Sequence, residues 1–339
     1  MFTPSENRFK ELGALSRLAG PLIVNNLSIA GMQFADAVMS GMLGAEALAA
    51  VAVGSQIWFL GFMVCLGLMM AISPIAARYY GAGELSKIGR YTQQGLWLAV
   101  ALGIAVFALS QSLVKPFMIF LSIDEEFRDL SIGYVRAIMF GAPAIYSFLV
   151  LRFTTEGMGF MRPIMYASLF ALVCNVFLNW VFMFGKLGVP AYGVVGCGIA
   201  SAVTMWLTLF VMATYFTRKT IYRSLKIFDH IAPVSMPVLK EIIGLGAPIA
   251  VTITAEAGFF AAVTLLIGSR GVDITAAHQI SANFASTMFM IPLALGAATT
   301  VRVGHALGSG NAGAARMGGM VGILMSAGFM ACSATFMLL

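Results

Sequence analysis

What this chain has little of narrows it first. Only 10% of its 339 residues are charged, against about 25% in a soluble domain, so a soluble globular fold is excluded. Its four cysteines, Cys65, Cys174, Cys197 and Cys332, stand apart inside apolar stretches with no CxxC spacing. They support neither a disulfide framework nor a thiolate metal site and read as small buried hydrophobes. Histidine is as scarce: His278 opens an apolar span, and His230 and His305 read as loop residues. With no HExxH, clustered histidine or Ser/His/Asp set at a common membrane depth, an embedded enzyme is disfavoured. The first twenty residues lack a short apolar core with a small-residue cleavage site and do not read as a removable signal.

What is abundant is apolar length. Hydrophobic residues make up 60% of the chain, and its mean hydropathy is +0.92. About 20 helical residues cross a bilayer core of about 30 Å. Nine apolar spans fit that measure, near 20–44, 48–76, 95–113, 132–150, 163–184, 194–216, 242–267, 274–301 and 317–339. An all-α polytopic membrane protein is expected. The basic stretch RKTIYRSLKIFDHIAPVSMPVLKE breaks the pattern with charges and two prolines, which predicts a six-helix lobe over 1–217, a linker over 218–240 and a three-helix lobe over 241–339. Fifteen of the 20 Lys and Arg fall on one side of the alternating spans, so the N-terminus is expected in the cytoplasm. The net charge of +6 then follows from cytoplasmic loops and calls for no nucleic-acid partner.

The second half repeats the first. A shift of 227 positions lays Gly20–Gly83 on Ala247–Gly310 without a gap, pairing Pro21 with Pro248, Gly31 with Gly258, Gly41 with Gly268, and Gly81 and Gly83 with Gly308 and Gly310. Six spans separate the copies, so both enter the membrane in the same sense. Such a parallel repeat has its pseudo-two-fold axis along the membrane normal, and transporters built this way hold substrate between the halves.

Against this background the polar residues inside spans stand out. Asp36 lies in GPLIVNNLSIAGMQFADAVMSGMLG, where a mid-bilayer carboxylate costs on the order of 2.5–3.5 kcal/mol and marks a functional site by default. The alternative is an acid held protonated against a packing partner. Glu256 brings a second acid into span seven at a different depth. A carboxylate in such a place takes up a proton or a cation in exchange, since burial favours its neutral form and a bound cation opposes that. Asn175 and Asn179 share one face of span five at i, i+4, as cation ligands or partners of Asp36, or as glue between helices. Asn25 and Gln33 in span one and Asn283 in span eight are candidates for a substrate cavity. Glu156, between Arg152 and Arg162, reads as a surface or loop-fixing acid.

The stretch PLIVNNLSIAGMQFADAVMSGMLGAEALAAVAVGSQIW, the loop ARYYGAGE, CNVFLNW with GVVGCGIAS, and AAHQISANFAS with RVGHALGSG together resemble the bacterial multidrug and toxic compound extrusion (MATE) family, NorM branch. The resemblance implies a two-lobe helical bundle in the bacterial inner membrane, acting as a cation-coupled antiporter that exports cationic and amphipathic organic compounds. It further implies a first-lobe cation site at Asp36, Asn175 and Asn179 with Ser201 beside it, a bend of the first helix at Pro21, and a second-lobe acid at Glu256. Na⁺ or H⁺ would serve as coupling ion, with no other cofactor, and a monomer is expected. The family has twelve spans, so a reading frame lacking the last three is expected of this chain. A lipid-linked oligosaccharide flippase of the same broad superfamily, and a truncated membrane protein that transports nothing, are the alternatives.

Overall fold

A computed structural model describes residues 4–121, 123–229, 232–268 and 272–338. Among the described residues there are twelve helices and no strand. They are α1 (Pro4–Gly41), α2 (Ala45–Met70), α3 (Ile72–Gly81), α4 (Leu85–Phe120), α5 (Glu125–Met139), α6 (Ala142–Gly157), α7 (Arg162–Phe184), α8 (Gly193–Arg218), α9 (Thr220–Arg223), α10 (Met236–Gly268), α11 (Val272–Gly308) and α12 (Ala312–Leu338). Eight stretches are long and apolar enough to cross a membrane, and a ninth is the bent pair α5–α6. Each falls on one of the nine spans expected from the sequence.

The bend has a local cause. Asp124 caps α5, accepting from the Glu126 N–H at 3.2 Å, and Glu125 and Glu126 sit in its first turn, where carboxylates complement the helix dipole. Further along, Pro143 removes a backbone donor near the start of α6, and the two helices meet at 47°. Gly103 of α4 accepts the bend, since a Cβ there would lie 2.4 Å from Pro143 Cα.

The duplication is visible in the backbone. Pro21 and Pro248 both lie inside unbroken helices, α1 and α10. Gly83 and Gly310, related by the 227-residue shift, adopt left-handed φ of 75° and 74°, a conformation glycine adopts at no steric cost. Their turns close identically: Gly83 N–H to Tyr80 O and Glu84 N–H to Tyr79 O, against Gly310 N–H to Leu307 O and Asn311 N–H to Ala306 O.

The copies meet along the axis relating them. A Cβ on Gly81 would lie 2.2 Å from His305 O, and one on Gly308 would lie 2.0 Å from Arg78 O. The shift carries each contact into the other. Between them, on the axis, Gly304 faces its own counterpart Ala77, with a Cβ site 2.5 Å from the Ala77 Cβ. Bare backbone lets α3 and α11 approach this closely at the end of the bundle that bears Arg78 and Arg302. Higher up, Gly67 and Gly246 bring α2 onto α10 at Ala250 and Leu68. A core cluster spans this junction, with Leu15 and Leu22 of α1 beside Ala298 and Val301 of α11.

The basic stretch after α8 lies against α4 rather than hanging free. Gln93 Nε2 donates to Ile227 O (2.7 Å), Gln94 Nε2 donates to Pro233 O (2.9 Å) and its Oε1 accepts from the Ser235 N–H (2.7 Å), and Trp97 Nε1 donates to Ala232 O (3.1 Å). Tyr91 OH donates to Glu241 at the start of α10. The prolines that end the apolar pattern leave carbonyls exposed, and two buried glutamines satisfy them.

Candidate functional site

Three helices build the polar site. α7 starts with Pro163 at its first turn and ends at Gly185, a left-handed C-cap (φ 68°) whose N–H bonds Val181 O, so both ends carry the residue types that favour them. Its buried face runs through Ile164, Ala167, Ala171, Asn175 and Asn179, while Tyr166, Phe170, Val173, Phe177 and Trp180 point outward. That is a 3.6-residue period with two amides in the buried stripe. Gly31 of α1 takes the side chain of Leu172, its Cβ site 3.3 Å from Leu172 Cδ1, and seats α1 on α7. Gly196 lets α8 reach Phe182 O of α7, its Cβ site 2.4 Å away.

The result joins α1 to α7 through polar atoms. Asn179 Nδ2 donates to Asp36 Oδ1 at 2.6 Å and to Asn175 Oδ1 at 3.3 Å. Asn179 is fully buried and Asn175 is 3% exposed, while Asp36 is half-buried. Both Asn179 amide protons are thereby used, and among the described residues its Oδ1 is buried without a partner. An orphaned amide oxygen beside a carboxylate is a set of hard acceptor oxygens, suited to a proton on Asp36 or a small hard cation. Ser40 Oγ donates to the backbone carbonyl of Asp36 at 2.6 Å, an i−4 bond that fixes this turn of α1.

Two neighbours were not signalled by the sequence. Cys197 of α8 and Tyr134 of α5, both fully buried, lie close enough to Asp36 to interact with its carboxylate. Cys197 is the buried small residue expected, but its place beside Asp36 appears only once α8 is docked. Ser201 follows one turn along the same α8 face and is buried; among the described residues it makes no bond to Asp36, Asn175 or Asn179.

The other candidates lie elsewhere. Glu256 is exposed on α10 in the second lobe and takes no part in the Asp36 cluster. Asn25 is 2% exposed and donates to Asn26 Oδ1 (3.1 Å), and Asn26 donates in turn to Met290 O of α11 (3.5 Å), so this pair ties α1 to α11 within the packed junction. Gln33 is exposed. Pro21 sits in a helix that continues through it. The side chains of Asn283 and His278, and His230 entirely, lie outside the described residues. A groove of about 540 Å³ opens beside the site between α1 and α7, lined by Met39, Leu172, Val173, Val176, Phe177 and Trp180, so its walls are apolar.

Three readings change. Of the four cysteines expected to be buried, Cys65 and Cys197 are, whereas Cys174 is half-buried and Cys332 exposed. Glu156 is neither on the surface nor in a loop: it closes the last turn of α6, 4% exposed, and accepts from Ser73 Oγ at 3.3 Å. Helix α6 runs past the apolar span to Gly157, which draws the acid inside. His305 is helical, because α11 extends to Gly308, and its Nε2–H donates to Gly157 O at 2.8 Å.

Comparison with known proteins bears on this architecture. The sequence model described as MatE matches residues 21–181 and 248–339, two blocks whose starts differ by the same 227 positions as the internal repeat. The multidrug resistance protein NorM of Vibrio vulnificus (strain YJ016) is 35% identical over 316 residues, covering 93% of this chain and 69% of that protein. The multidrug resistance protein MdtK of Photorhabdus laumondii is 38% identical over 329 residues, covering 96% and 72%. In fold the chain is similar to a multidrug resistance MATE family transporter of the MOP superfamily captured outward-facing (TM-score 0.84, 24% identity, 96% of this chain and 71% of that one). It is also similar to the eukaryotic MATE transporter AtDTX14 (TM-score 0.81, 24% identity, 94% and 70%). Nine spans, a parallel repeat and these matches place the chain in the MATE family of multi-pass membrane transporters, which are not enzymes.

Proposed function

We propose that the chain is the transport unit, or part of it, of a cation-coupled multidrug antiporter that exports cationic and amphipathic organic compounds across a bacterial inner membrane. One observation carries the reading: Asp36, within a membrane span, accepts from Asn179, whose own carbonyl oxygen is buried and unpartnered among the described residues. The names of the relatives, multidrug resistance proteins NorM and MdtK, supply the substrate class. The N-terminus lies in the cytoplasm, as the Lys/Arg asymmetry requires, and the unit works as a monomer with no cofactor beyond its coupling ion.

In this mechanism the Asp36–Asn179 bond holds α1 against α7 before an ion binds. A proton or Na⁺ arriving from outside neutralises Asp36, and for Na⁺ the Asn179 and Asn175 carbonyl oxygens complete the shell. Either ion weakens the demand of Asp36 for the Asn179 N–H, which loosens α1 from α7 and alters its packing around Pro21. A bound organic cation then loses its counter-charge and leaves. Ion and substrate compete for one carboxylate, which is what couples their fluxes. Glu256 supplies a second negative charge to the space between the lobes.

The test is ethidium efflux from cells lacking their own pumps, with the chain expressed in its natural reading frame and with Asp36→Asn. Export that vanishes in the variant, at unchanged membrane insertion, supports the reading. A variant that still exports against a gradient overturns it, and a chain that exports no cationic dye under either a Na⁺ or a H⁺ gradient favours the oligosaccharide flippase.

A further inference from the structure

We propose that the seam between α3 and α11 is the cytoplasmic gate of the transport cycle and that His305 is the side chain that latches it, an inference that rests on the transporter reading above. Alternating access requires the lobes to part at the end where they now touch, and the tightest contacts there are the bare-backbone approaches of Gly81, Gly304 and Gly308. Contacts of this kind exclude water, but they carry no directional bond. They let two helices close tightly and separate without breaking anything polar.

A directional bond crosses the seam beside them. His305 of α11 donates from Nε2 to Gly157 O, the last carbonyl of α6. The acceptor is held firmly in the first lobe, because Gly157 has its Cβ site 2.4 Å from Ser73 O and 2.7 Å from the Ala76 Cβ, against α3. The imidazole is held as well, with its ring 5.0 Å from that of Tyr80, which Phe160 meets edge-on at 6.1 Å. A cavity of about 340 Å³ opens on this seam, with Tyr80, Arg302, His305 and Ser309 in its walls. Water can therefore replace the latch bond as the lobes part, without leaving a buried orphan group.

The latch is also one-sided. The repeat counterpart of His305 is Arg78, which is exposed, while the glycine contacts beside it are duplicated. Symmetric packing closes the gate, and an asymmetric hydrogen bond sets how long it stays closed.

The test reads the seam directly. In inside-out vesicles, with Cys174 and Cys332 replaced by serine, Ala77→Cys places a thiol on the axis where Ala77 is fully buried. Its rate of reaction with a membrane-impermeant maleimide then reports opening. With His305 intact the reaction is slow. His305→Ala speeds it about tenfold, the effect of losing one well-made buried hydrogen bond, and His305→Gln, whose amide can still donate to Gly157 O, stays near the starting rate. Equal rates for His305 and His305→Ala overturn the proposal, as does a His305→Gln variant as fast as alanine. Labelling needs no transport, so the two ideas fail separately. A chain that exports dye while labelling of the Ala77→Cys thiol ignores His305 loses only the latch. A chain whose labelling follows His305 but which exports nothing loses the transporter reading.

Discussion

Asp36 and Glu256 lie on helices that duplication made equivalent, yet they are not equivalent residues. The shift of 227 sets Asp36 against Val263 and Glu256 against Ile29, so the two acids differ in depth by seven positions, two helical turns or about 10 Å. Asp36 is gripped by Asn179, with Asn175 and Cys197 behind it. Glu256 is exposed, and no part of that cage surrounds it. The backbone devices, by contrast, are shared between the copies: the helix prolines, the left-handed glycines at 83 and 310, and the mutual contacts of Gly81 and Gly308. The difference teaches that the duplicated element is the scaffold, with its turns and its seam, while the buried cluster around Asp36 belongs to one copy alone among the described residues.

That comparison can be broken most forcefully at Asp36. Asp36→Asn keeps the shape and the hydrogen-bonding capacity but removes the titratable charge, and coupled export is expected to fall to background. Next comes Asn179→Ala, which removes the donor at 2.6 Å and the orphaned oxygen together. The bond is made to the ion-free carboxylate and is worth about 1.5–3 kcal/mol, so its loss should let H⁺ drive half-maximal efflux at a concentration at least about tenfold lower, whereas loss of the orphaned oxygen should raise the Na⁺ requirement if Na⁺ is the coupling ion; an unchanged ion dependence would reduce the asparagines to packing. Glu256→Gln should slow efflux only a few-fold, because its carboxylate is exposed and stands outside the polar cage; a loss as complete as that of Asp36→Asn would erase the contrast between the lobes. Smallest are Gly83→Ala and Gly310→Ala. Each forces a Cβ into a left-handed turn at about 1–2 kcal/mol, and thermal melting should show the two penalties equal, as repeat-related turns require.

Much of this was legible in the sequence because the bilayer imposes length and the repeat imposes register. The nine spans follow from apolar run lengths, the intramembrane acid from its cost, and the Asn175–Asn179 face from helical spacing. What was hidden depends on helix docking. Cys197 looks like any small apolar residue until Gly196 brings α8 against α7. Gln93 and Gln94 look like polar residues at a helix start until the linker carbonyls arrive over them. Glu156 and His305 read from local sequence as surface and loop residues, whereas α6 extends past its apolar segment and carries Glu156 into the first lobe against Ser73, and α11 extends past its own and carries His305 across the junction to Gly157. Apolar windows locate where a helix crosses the membrane; they do not locate where it stops.

The central claim is that organic cation and coupling ion compete for Asp36. The most direct measurement is binding of tetraphenylphosphonium to the purified protein, titrated with Na⁺ at fixed pH and with acid at fixed Na⁺. The account predicts that one of these ions weakens binding progressively in the protein bearing Asp36, and that Asp36→Asn binds tetraphenylphosphonium more weakly, with no remaining dependence on either ion. Displacement that persists unchanged in the Asp36→Asn protein would contradict it, because the competition would then lie at another residue.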